Sequence, residues 1–207
     1  RVQILWLPRR VFCALSPRAL FFSRLMKFTE QKLSGVYIIE PEPHEDERGM
    51  LRRQFCQHEF SENHLMTDIK QCNISENRQK YTLRGFHFQL PPHGENKVIS
   101  CIKGSIYDIV VDLRKDSQTY MEWQSFEFTE EKRLSLYVPI GCANAYLTLE
   151  NYTWILYYHS EFFNMNAECK IRYNDPVFQF AWPAAPEVIS EKDLNIPDFI
   201  PSKVSHF

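Results

Sequence analysis

The order of hydrophobic and polar positions predicts a series of short β-strands with very little helix. Short apolar or aromatic runs alternate with turns that contain Gly, Pro or charged residues, as in all-β proteins. The predicted strands are 36–40, 51–56, 69–75, 82–90, 97–103, 105–113, 123–129, 134–138, 143–150 and 153–160. One short helix is predicted within 58–66, and 97–113 is predicted to form a hairpin about Lys103-Gly104. Such a series indicates a β-sandwich or barrel.

The segment 82–90 contains a histidine at the centre of a predicted strand. Strict alternation puts Leu83, Gly85, His87 and Gln89 on one face and Arg84, Phe86, Phe88 and Leu90 on the other. An isolated histidine at such a position is more often a core residue than a functional group. The chain, however, has further polar side chains in strand centres: Arg84, His87, Gln89, Lys97, Asp108, Asp112, Tyr157 and Tyr158. Together they predict a polar cavity inside a barrel.

Composition narrows the class of protein. At 207 residues the chain is long enough for one domain with a sizeable core, and its net charge of -2 gives no argument for a nucleic-acid or membrane partner. Its six cysteines are scattered, without the close spacing of a zinc knuckle or a disulfide scaffold. They are expected to be mostly small buried hydrophobes in a reducing, cytoplasmic compartment.

The first 25 residues differ from the rest, since they include five arginines and no acidic residue, and the first methionine is Met26. Three interpretations compete: a secretory signal, whose apolar core Pro17-Arg18 would interrupt; an organellar presequence; and translated upstream sequence ahead of a start at Met26. We favour the third, and expect 1–25 to be a disordered leader or non-native segment. Residues 26–207 are expected to form one domain.

Two segments resemble the metal-binding motifs of cupin barrels. Residues 87–89 and 139–144 occupy the corresponding places, but Gln89 and Asn144 stand where such cupins have their second and third histidines. His87 alone is too few ligands for tight transition-metal binding. The expectation is a cupin shape without a metal.

A longer, ordered set of motifs resembles one family. The matching segments are 46–49 (DERG), 71–75 (QCNIS), 83–89 (LRGFHFQ), 96–98 (NKV), 108–114 (DIVVDLR), 138–141 (VPIG), 173–176 (YNDP), 182–183 (WP) and 190–193 (SEKD). In this order, from about residue 35 to 197, they resemble the dTDP-4-dehydrorhamnose 3,5-epimerases. The resemblance implies an all-β, cupin-type double-stranded β-helix (a jelly-roll barrel) with a few short helices. It also implies a homodimer that uses no cofactor and acts on a nucleotide-linked sugar.

The resemblance also implies roles for individual residues. His87 matches the base that removes a proton next to a ketone, Asp193 the carboxylate that orients it, and Tyr157 the proton donor. Lys97 matches the cation beside the sugar oxygens. Residues matching substrate contacts are Arg48 and Arg84, which suit a diphosphate, and Gln71, Asn73, Asn144, Phe163, Glu168 and Lys192.

Some positions depart from the family. Asn144 replaces a histidine that contacts the sugar, Leu51 replaces an aromatic residue that stacks on the base, and Arg53 replaces a glutamate. The sequence therefore does not decide which nucleotide the substrate carries, or whether one carbon or two are epimerised. A keto-sugar 3,4-isomerase and a non-catalytic sugar-nucleotide binder remain as alternatives.

Overall fold

The computed structural model describes residues 26–201, which contain thirteen β-strands and two short helices. The leader expected over 1–25 lies outside the described residues. The strands are β1 (Met26–Glu30), β2 (Tyr37–Pro41), β3 (His44–Asp46), β4 (Gly49–Leu51), β5 (Gln71–Asn77), β6 (Leu83–Gln89), β7 (Lys97–Lys103), β8 (Ser105–Asp112), β9 (Trp123–Thr129), β10 (Ser135–Val138), β11 (Cys142–Thr148), β12 (Thr153–His159) and β13 (Glu168–Lys170). The helices are α1 (Gln57–Glu62) and α2 (Glu191–Leu194).

The strands form two main antiparallel sheets and one small hairpin. The six-stranded sheet has the order β1-β2-β10-β7-β12-β5, the five-stranded sheet has the order β13-β6-β11-β8-β9, and β3 pairs with β4 alone. This nearly all-β arrangement, with two short helices in the described range, confirms the predicted cupin-type jelly roll. No helix among residues 26–201 is long and apolar enough to cross a membrane.

The predicted hairpin over residues 97–113 was wrong. Strand β7 pairs with β10 and β12, whereas β8 pairs with β9 and β11 in the other sheet. Between them Gly104, at a φ of +75°, turns the chain from one sheet to the other. Alternation within each strand cannot show which strands pair, because a hairpin and a corner between sheets have similar turn residues.

Other element boundaries also differ from the prediction. Residues 52–56 are not a strand, the helix begins earlier at Gln57, and strands β1, β3 and β13 were not predicted. Each missed strand is only three to five residues long. Strands this short carry too little periodicity to be recognised from sequence.

The space between the main sheets is apolar at one end. Its core joins β7, β10 and β12 of one sheet to β8, β9 and β11 of the other. It consists of Leu33, Val36, Ile99, Cys101, Ile106, Val110, Phe126, Phe128, Leu136, Val138, Cys142, Tyr146 and Ile155. Cys101 and Cys142 are buried here as small hydrophobes, but Cys56 and Cys169 are half-buried and Cys72 is exposed, so the prediction of mostly buried cysteines was wrong for the described part of the chain. The other end of the interior is polar and forms the site described below.

The outer faces of both sheets are covered as well. On the five-stranded sheet, Phe86 stacks on Phe180 of the C-terminal segment at a centroid distance of 4.2 Å, and Phe178 and Phe199 join the same cluster. On the six-stranded sheet, Phe60 of α1 is fully buried. The described C-terminal segment therefore covers the outer face of the five-stranded sheet.

A bulge in β6 changes which side chains face the interior. His87 is paired with Asn144, but the next pair along joins Arg84 to Tyr146, so β6 has one residue more than β11 in this interval. Beyond the bulge the alternation is reversed, and Arg84 and His87 both line the interior cavity. The prediction that Arg84 and His87 lie on opposite faces was therefore wrong.

Gly85 is the residue that permits this bulge. Its φ is +113°, and a Cβ built on it would lie 2.6 Å from Ala145 Cα, Ala145 Cβ and the Asn144 carbonyl oxygen. No side chain fits there without moving the backbone of β11, the strand from which Asn144 lines the cavity. The glycine is therefore required by both the local conformation and the close approach of the neighbouring strand.

We predict that Gly85→Ala destabilises the protein more than Gly49→Ala. Gly49 has a similar φ of +116°, but a Cβ there would meet nothing within 4 Å. Backbone strain should cost about 1–3 kcal/mol in both variants. The clash should cost Gly85→Ala about 1–3 kcal/mol more. Urea unfolding measures both losses, and equal losses would contradict a steric requirement at Gly85.

Candidate active site

A cavity of about 310 Å³ opens between the sheets at the polar end of the interior. Its lining residues come from β5, β7 and β12 of the six-stranded sheet, from β6, β11 and β13 of the five-stranded sheet, and from two loops. They are Gln71, Asn73, Ile74, Ser75, Arg84, Gly85, His87, Phe88, Gln89, Glu95, Lys97, Asn144, Tyr146, Tyr157, His159, Phe163 and Glu168. Most are polar, and polar side chains between packed sheets are costly unless they have partners. A cavity on which polar groups converge is a candidate binding site.

His87 forms a pair with a carboxylate from the far end of the chain. Its Nε2 lies 2.9 Å from Asp193 Oδ1, and the two residues are 106 positions apart. Helix α2 positions Asp193, because the Asp193 backbone N–H donates to the Ser190 side chain at the helix N-cap. Since the carboxylate occupies Nε2, the Nδ1 atom of His87 is the nitrogen left for a ligand.

The Asp193 carboxylate is held in its charged form. Burial by itself would raise the pKa of Asp193, but the hydrogen bond and charge of His87, together with Lys170, lower that pKa well below its usual range. Lys170 Nζ donates to the same oxygen over 3.0 Å. A charged carboxylate fixes the imidazole tautomer and stabilises the imidazolium that forms when His87 accepts a proton.

Tyr157 lies on the opposite wall of the cavity, on β12. Burial, then the proximity of Tyr146 and Asp108, raises the pKa of Tyr157 well above its ordinary value. The phenol therefore keeps its proton at neutral pH and can act as a proton donor. The Tyr146 hydroxyl lies 3.0 Å from Ser75 Oγ and belongs to the same cluster of polar side chains as Tyr157.

Lys97 connects the two walls. Its Nζ donates to the His87 carbonyl oxygen over 2.8 Å and lies 3.4 Å from both Asn144 Oδ1 and Glu95 Oε1. Behind Asn144, Asp108 accepts from the Asn144 amide over 3.2 Å. Burial, against the weaker effects of Asn144 and Lys97, raises the pKa of Asp108 well above its usual range. Lys97 is therefore a largely buried cation that lines the cavity, and the nearby carboxyl group of Asp108 favours its neutral form.

The remaining predicted residues of the cavity are distributed along its walls. Arg84 donates from Nε to Asn77 over 2.8 Å, which leaves its terminal nitrogens for an anion. Gln71 accepts from the backbone N–H of Phe163, a residue that is 58% exposed at the cavity rim. In the sheet register, Asn73 of β5 lies opposite Tyr157 of β12, and Glu168 of β13 lies opposite Gln89 of β6.

Two of the predicted substrate contacts lie outside this cavity. Arg48 is at the tip of the β3–β4 hairpin, where its side chain is 83% exposed and pairs with Asp46. Lys192 is exposed on α2. At two of the three departures from the family, Leu51 is 75% exposed and Arg53 binds Glu59 over 2.7 Å.

Two polar side chains from the strand-centre prediction have structural roles instead. Asp112 accepts hydrogen bonds from Arg114, Ser117 and Thr119 and so holds a turn. Tyr158 packs against Phe55 on the outer face of the six-stranded sheet. The prediction that both line the cavity was wrong, because alternation does not reveal which face of a strand is the interior one.

Some cavity residues were not predicted to line the cavity, namely Ser75, Glu95, Tyr146 and His159. Alternation with Asn73, Asn144 and Tyr157 was the available signal for all except Glu95, which lies in a loop. Among residues 26–201, no group of three His, Cys, Asp or Glu side chains is arranged to hold a metal ion.

Fold and site together define a jelly-roll protein whose cavity carries an imidazole–carboxylate pair facing a phenol. A family model described as dTDP-4-dehydrorhamnose 3,5-epimerase matches residues 30–200. An enzyme of that name from Methanothermobacter thermautotrophicus is 36% identical over 173 residues, covering 82% of this chain and 92% of its own.

Solved structures agree with the family match. The dTDP-4-dehydrorhamnose 3,5-epimerase of Elizabethkingia anophelis superposes with a TM-score of 0.81 at 34% identity, covering 88% of this chain and all of its own. A 3'-monoepimerase from Streptomyces bikiniensis, in complex with dTDP-quinovose, gives a TM-score of 0.76 at 28% identity, with 81% and 85% covered. This chain belongs to the dTDP-4-dehydrorhamnose 3,5-epimerase family.

We predict that the stabilisation contributed by Asp193 disappears in acid. Because folding lowers the pKa of Asp193, its charged form stabilises the fold above the ordinary carboxyl value of about 3.9, and this contribution is lost as the pH falls below it. The difference in free energy of unfolding between wild type and Asp193→Asn should therefore be largest near neutral pH and shrink below about pH 4. Urea titrations at several pH values measure it.

The matched control for this experiment is Asp68→Asn, in the exposed segment between α1 and β5. It should leave the free energy of unfolding close to that of wild type at each pH. A difference for Asp193→Asn that stays constant from neutral pH into acid would contradict the assignment of a charged, His87-bound carboxylate.

Proposed function

We propose that this protein inverts C3 and C5 of a nucleotide-linked 4-keto-6-deoxyhexose, as an isomerase that uses no cofactor in deoxysugar biosynthesis. The observation that carries the proposal is the pair of groups on opposite cavity walls. His87, oriented by Asp193, belongs to one sheet, and the protonated phenol of Tyr157 belongs to the other. Inversion at carbon requires a base on one side of the sugar and an acid on the other.

The chemistry follows from the acidity of the substrate. A C–H bond next to a ketone is too weakly acidic for water to ionise it quickly, so a base must take the proton. His87 accepts it, and the electron pair of the broken C–H bond moves into the carbonyl, giving an enolate whose oxygen Lys97 stabilises. Tyr157 then donates a proton to the other face of the same carbon. Exchange with solvent returns His87 and Tyr157 to their starting forms.

Binding of the substrate is assigned to the polar residues around this centre. Arg84 suits the diphosphate, because its planar terminal nitrogens match two phosphate oxygens. Phe163 is suited to stack on a nucleobase, and Gln71, Asn73, Asn144 and Glu168 can bind sugar and nucleotide oxygens or N–H groups. Since the relatives are named for dTDP-linked sugars, we propose a dTDP-linked substrate.

We also propose a homodimer. Exposed large hydrophobic side chains lie on the β3–β4 hairpin, at Met50 and Leu51, and around the cavity mouth, at Ile74 and Phe163. Exposed apolar patches of this kind are typical of interfaces. In such a dimer the hairpin of one subunit can bring Arg48 to the cavity of its partner, which accounts for its distance from the cavity of its own chain.

Sedimentation tests the dimer directly. We predict a particle of twice the chain mass of 24.7 kDa at micromolar concentration, and weaker association for Leu51→Glu, which puts a charge on the apolar hairpin. Tyr152→Glu, at a 63% exposed position in the turn between β11 and β12, is the control and should not change association. A monomeric wild type contradicts the proposal.

Residues 26–207 are proposed to be one domain located in the cytoplasm. The two sheets share one apolar core, as expected of a single folding unit. The cysteines among the described residues are free, which suits a reducing compartment.

Deuterium exchange tests the catalytic roles. With dTDP-4-keto-6-deoxyglucose in deuterated water, the wild type should exchange the protons on C3 and C5, as followed by NMR. His87→Asn should slow exchange by about 10²- to 10⁴-fold, because no base remains. Tyr157→Phe should still exchange but not invert, because the proton can return only from the side of His87.

The controls are His58→Asn on α1 and Tyr152→Phe, both at exposed positions, and both should behave as wild type. Wild-type-like turnover in His87→Asn and Tyr157→Phe would refute the two roles. Movement of the carbonyl to C3 would instead identify a keto-sugar 3,4-isomerase, and binding without any exchange would identify a non-catalytic binder.

A further inference from the structure

A second imidazole–carboxylate pair lines the same cavity and has no role in the chemistry described above. His159, the last residue of β12, places Nδ1 at 2.8 Å from Glu95 Oε2. Their side chains are only 15% and 11% exposed. Burying two ionisable groups beside a ligand cavity is costly unless they are paired. The pairing with Glu95 uses one nitrogen of the His159 ring and leaves the other available.

The hydrogen bond to Glu95 determines which nitrogen is available. An ionised carboxylate only accepts hydrogen bonds, so Nδ1 carries the proton and Nε2 is the nitrogen that can face a ligand. Burial by itself would raise the pKa of Glu95, but Lys97 and His159 lower it, so this carboxyl group is charged. The pair therefore resembles His87–Asp193, but the carboxylate binds the other ring nitrogen.

Two further contacts fix the orientation of the imidazole. Its ring stacks on Tyr157 with a centroid distance of 5.6 Å and an interplanar angle of 19°. Glu95 also lies 3.4 Å from Lys97 Nζ, so one carboxylate holds both the His159 ring and the Lys97 cation. A polar group held from two sides is pre-organised, and less entropy is lost when it binds a ligand.

A purely structural role does not account for this pair. The link that His159 and Glu95 could supply, between the end of β12 and the loop before β7, is already made by their sequence neighbours. Ser160 N–H donates to the Asn96 carbonyl oxygen over 3.1 Å, and Asn96 N–H donates to Ser160 Oγ over 2.8 Å. The imidazole is thus free to serve the cavity.

We propose that His159, oriented by Glu95, binds an oxygen atom of the nucleotide-linked sugar through Nε2, beside Lys97. This rests on the proposed function, since the ligand is the substrate proposed above. His159 is then an additional substrate-binding residue, and Glu95 is a positioning residue that acts through it.

Affinities for two probes test the proposal: dTDP-glucose, which carries a sugar, and dTDP, which does not. His159→Phe keeps a ring to stack on Tyr157 but removes both nitrogens. It should weaken binding of dTDP-glucose by about 10- to 100-fold, the range for a lost hydrogen bond to a polar or charged group, and leave dTDP nearly unchanged. Glu95→Gln, which keeps an acceptor but loses the charge, should show a smaller effect of the same kind. His58→Phe, at an exposed position on α1, is the control.

A second measurement uses the wild-type protein and does not depend on the folding of a variant. In ¹⁵N imidazole spectra, the Nε2 signal of His159 should shift on addition of dTDP-glucose and stay nearly unchanged on addition of dTDP. An equal loss of affinity for both probes in His159→Phe, or an Nε2 signal that dTDP-glucose does not shift, overturns the inference. Failure of the wild type to exchange deuterium contradicts only the proposed function, because these readouts need binding and no turnover.

Discussion

The hydrogen bond between His87 and Asp193 is the contact on which the site depends. It joins the centre of a sheet strand to a four-residue helix near the end of the chain. A helix this short has little stability of its own, so its position comes from the packing around it. The chain on both sides of this helix is held to the same sheet by aromatic side chains, Phe178, Phe180 and Trp182 before it and Phe199 after it, which cover the outer face of that sheet. The cover over the sheet and the geometry of the proposed base are therefore coupled.

The cavity keeps its charges balanced in pairs. Asp193 lies between His87 and Lys170, and Glu95 lies between Lys97 and His159. Each carboxylate thus contacts one lysine and one imidazole, which keeps buried acids charged without leaving an isolated ion in the interior. Within residues 26–201, Asp108 and Tyr157 form no ion pair of this kind, and burial favours their neutral forms. The same cavity therefore holds charged and neutral groups at fixed places, as acid–base chemistry requires.

Much of the fold could be predicted because strand patterns are local. The alternation in 97–103, 123–129 and 153–160 agrees closely with β7, β9 and β12. The predicted residues His87, Lys97, Tyr157 and Arg84 all line one cavity, although Arg84 does so only because of the bulge at Gly85. That bulge escaped prediction because one extra residue in a strand leaves no trace in its alternation until the partner strand is known.

By itself, the sequence determined the positions of the longer strands, the all-β class, the family and the identity of the polar groups, since these depend on local periodicity and ordered motifs. Only the tertiary structure decided that β7 and β8 belong to different sheets and that Arg48 lies away from the cavity of its own chain. It alone also brought Glu95 to His159, since their 64-residue separation carries no periodic signal. Contacts between distant residues follow from how the sheets pack, and packing is a property of the whole chain.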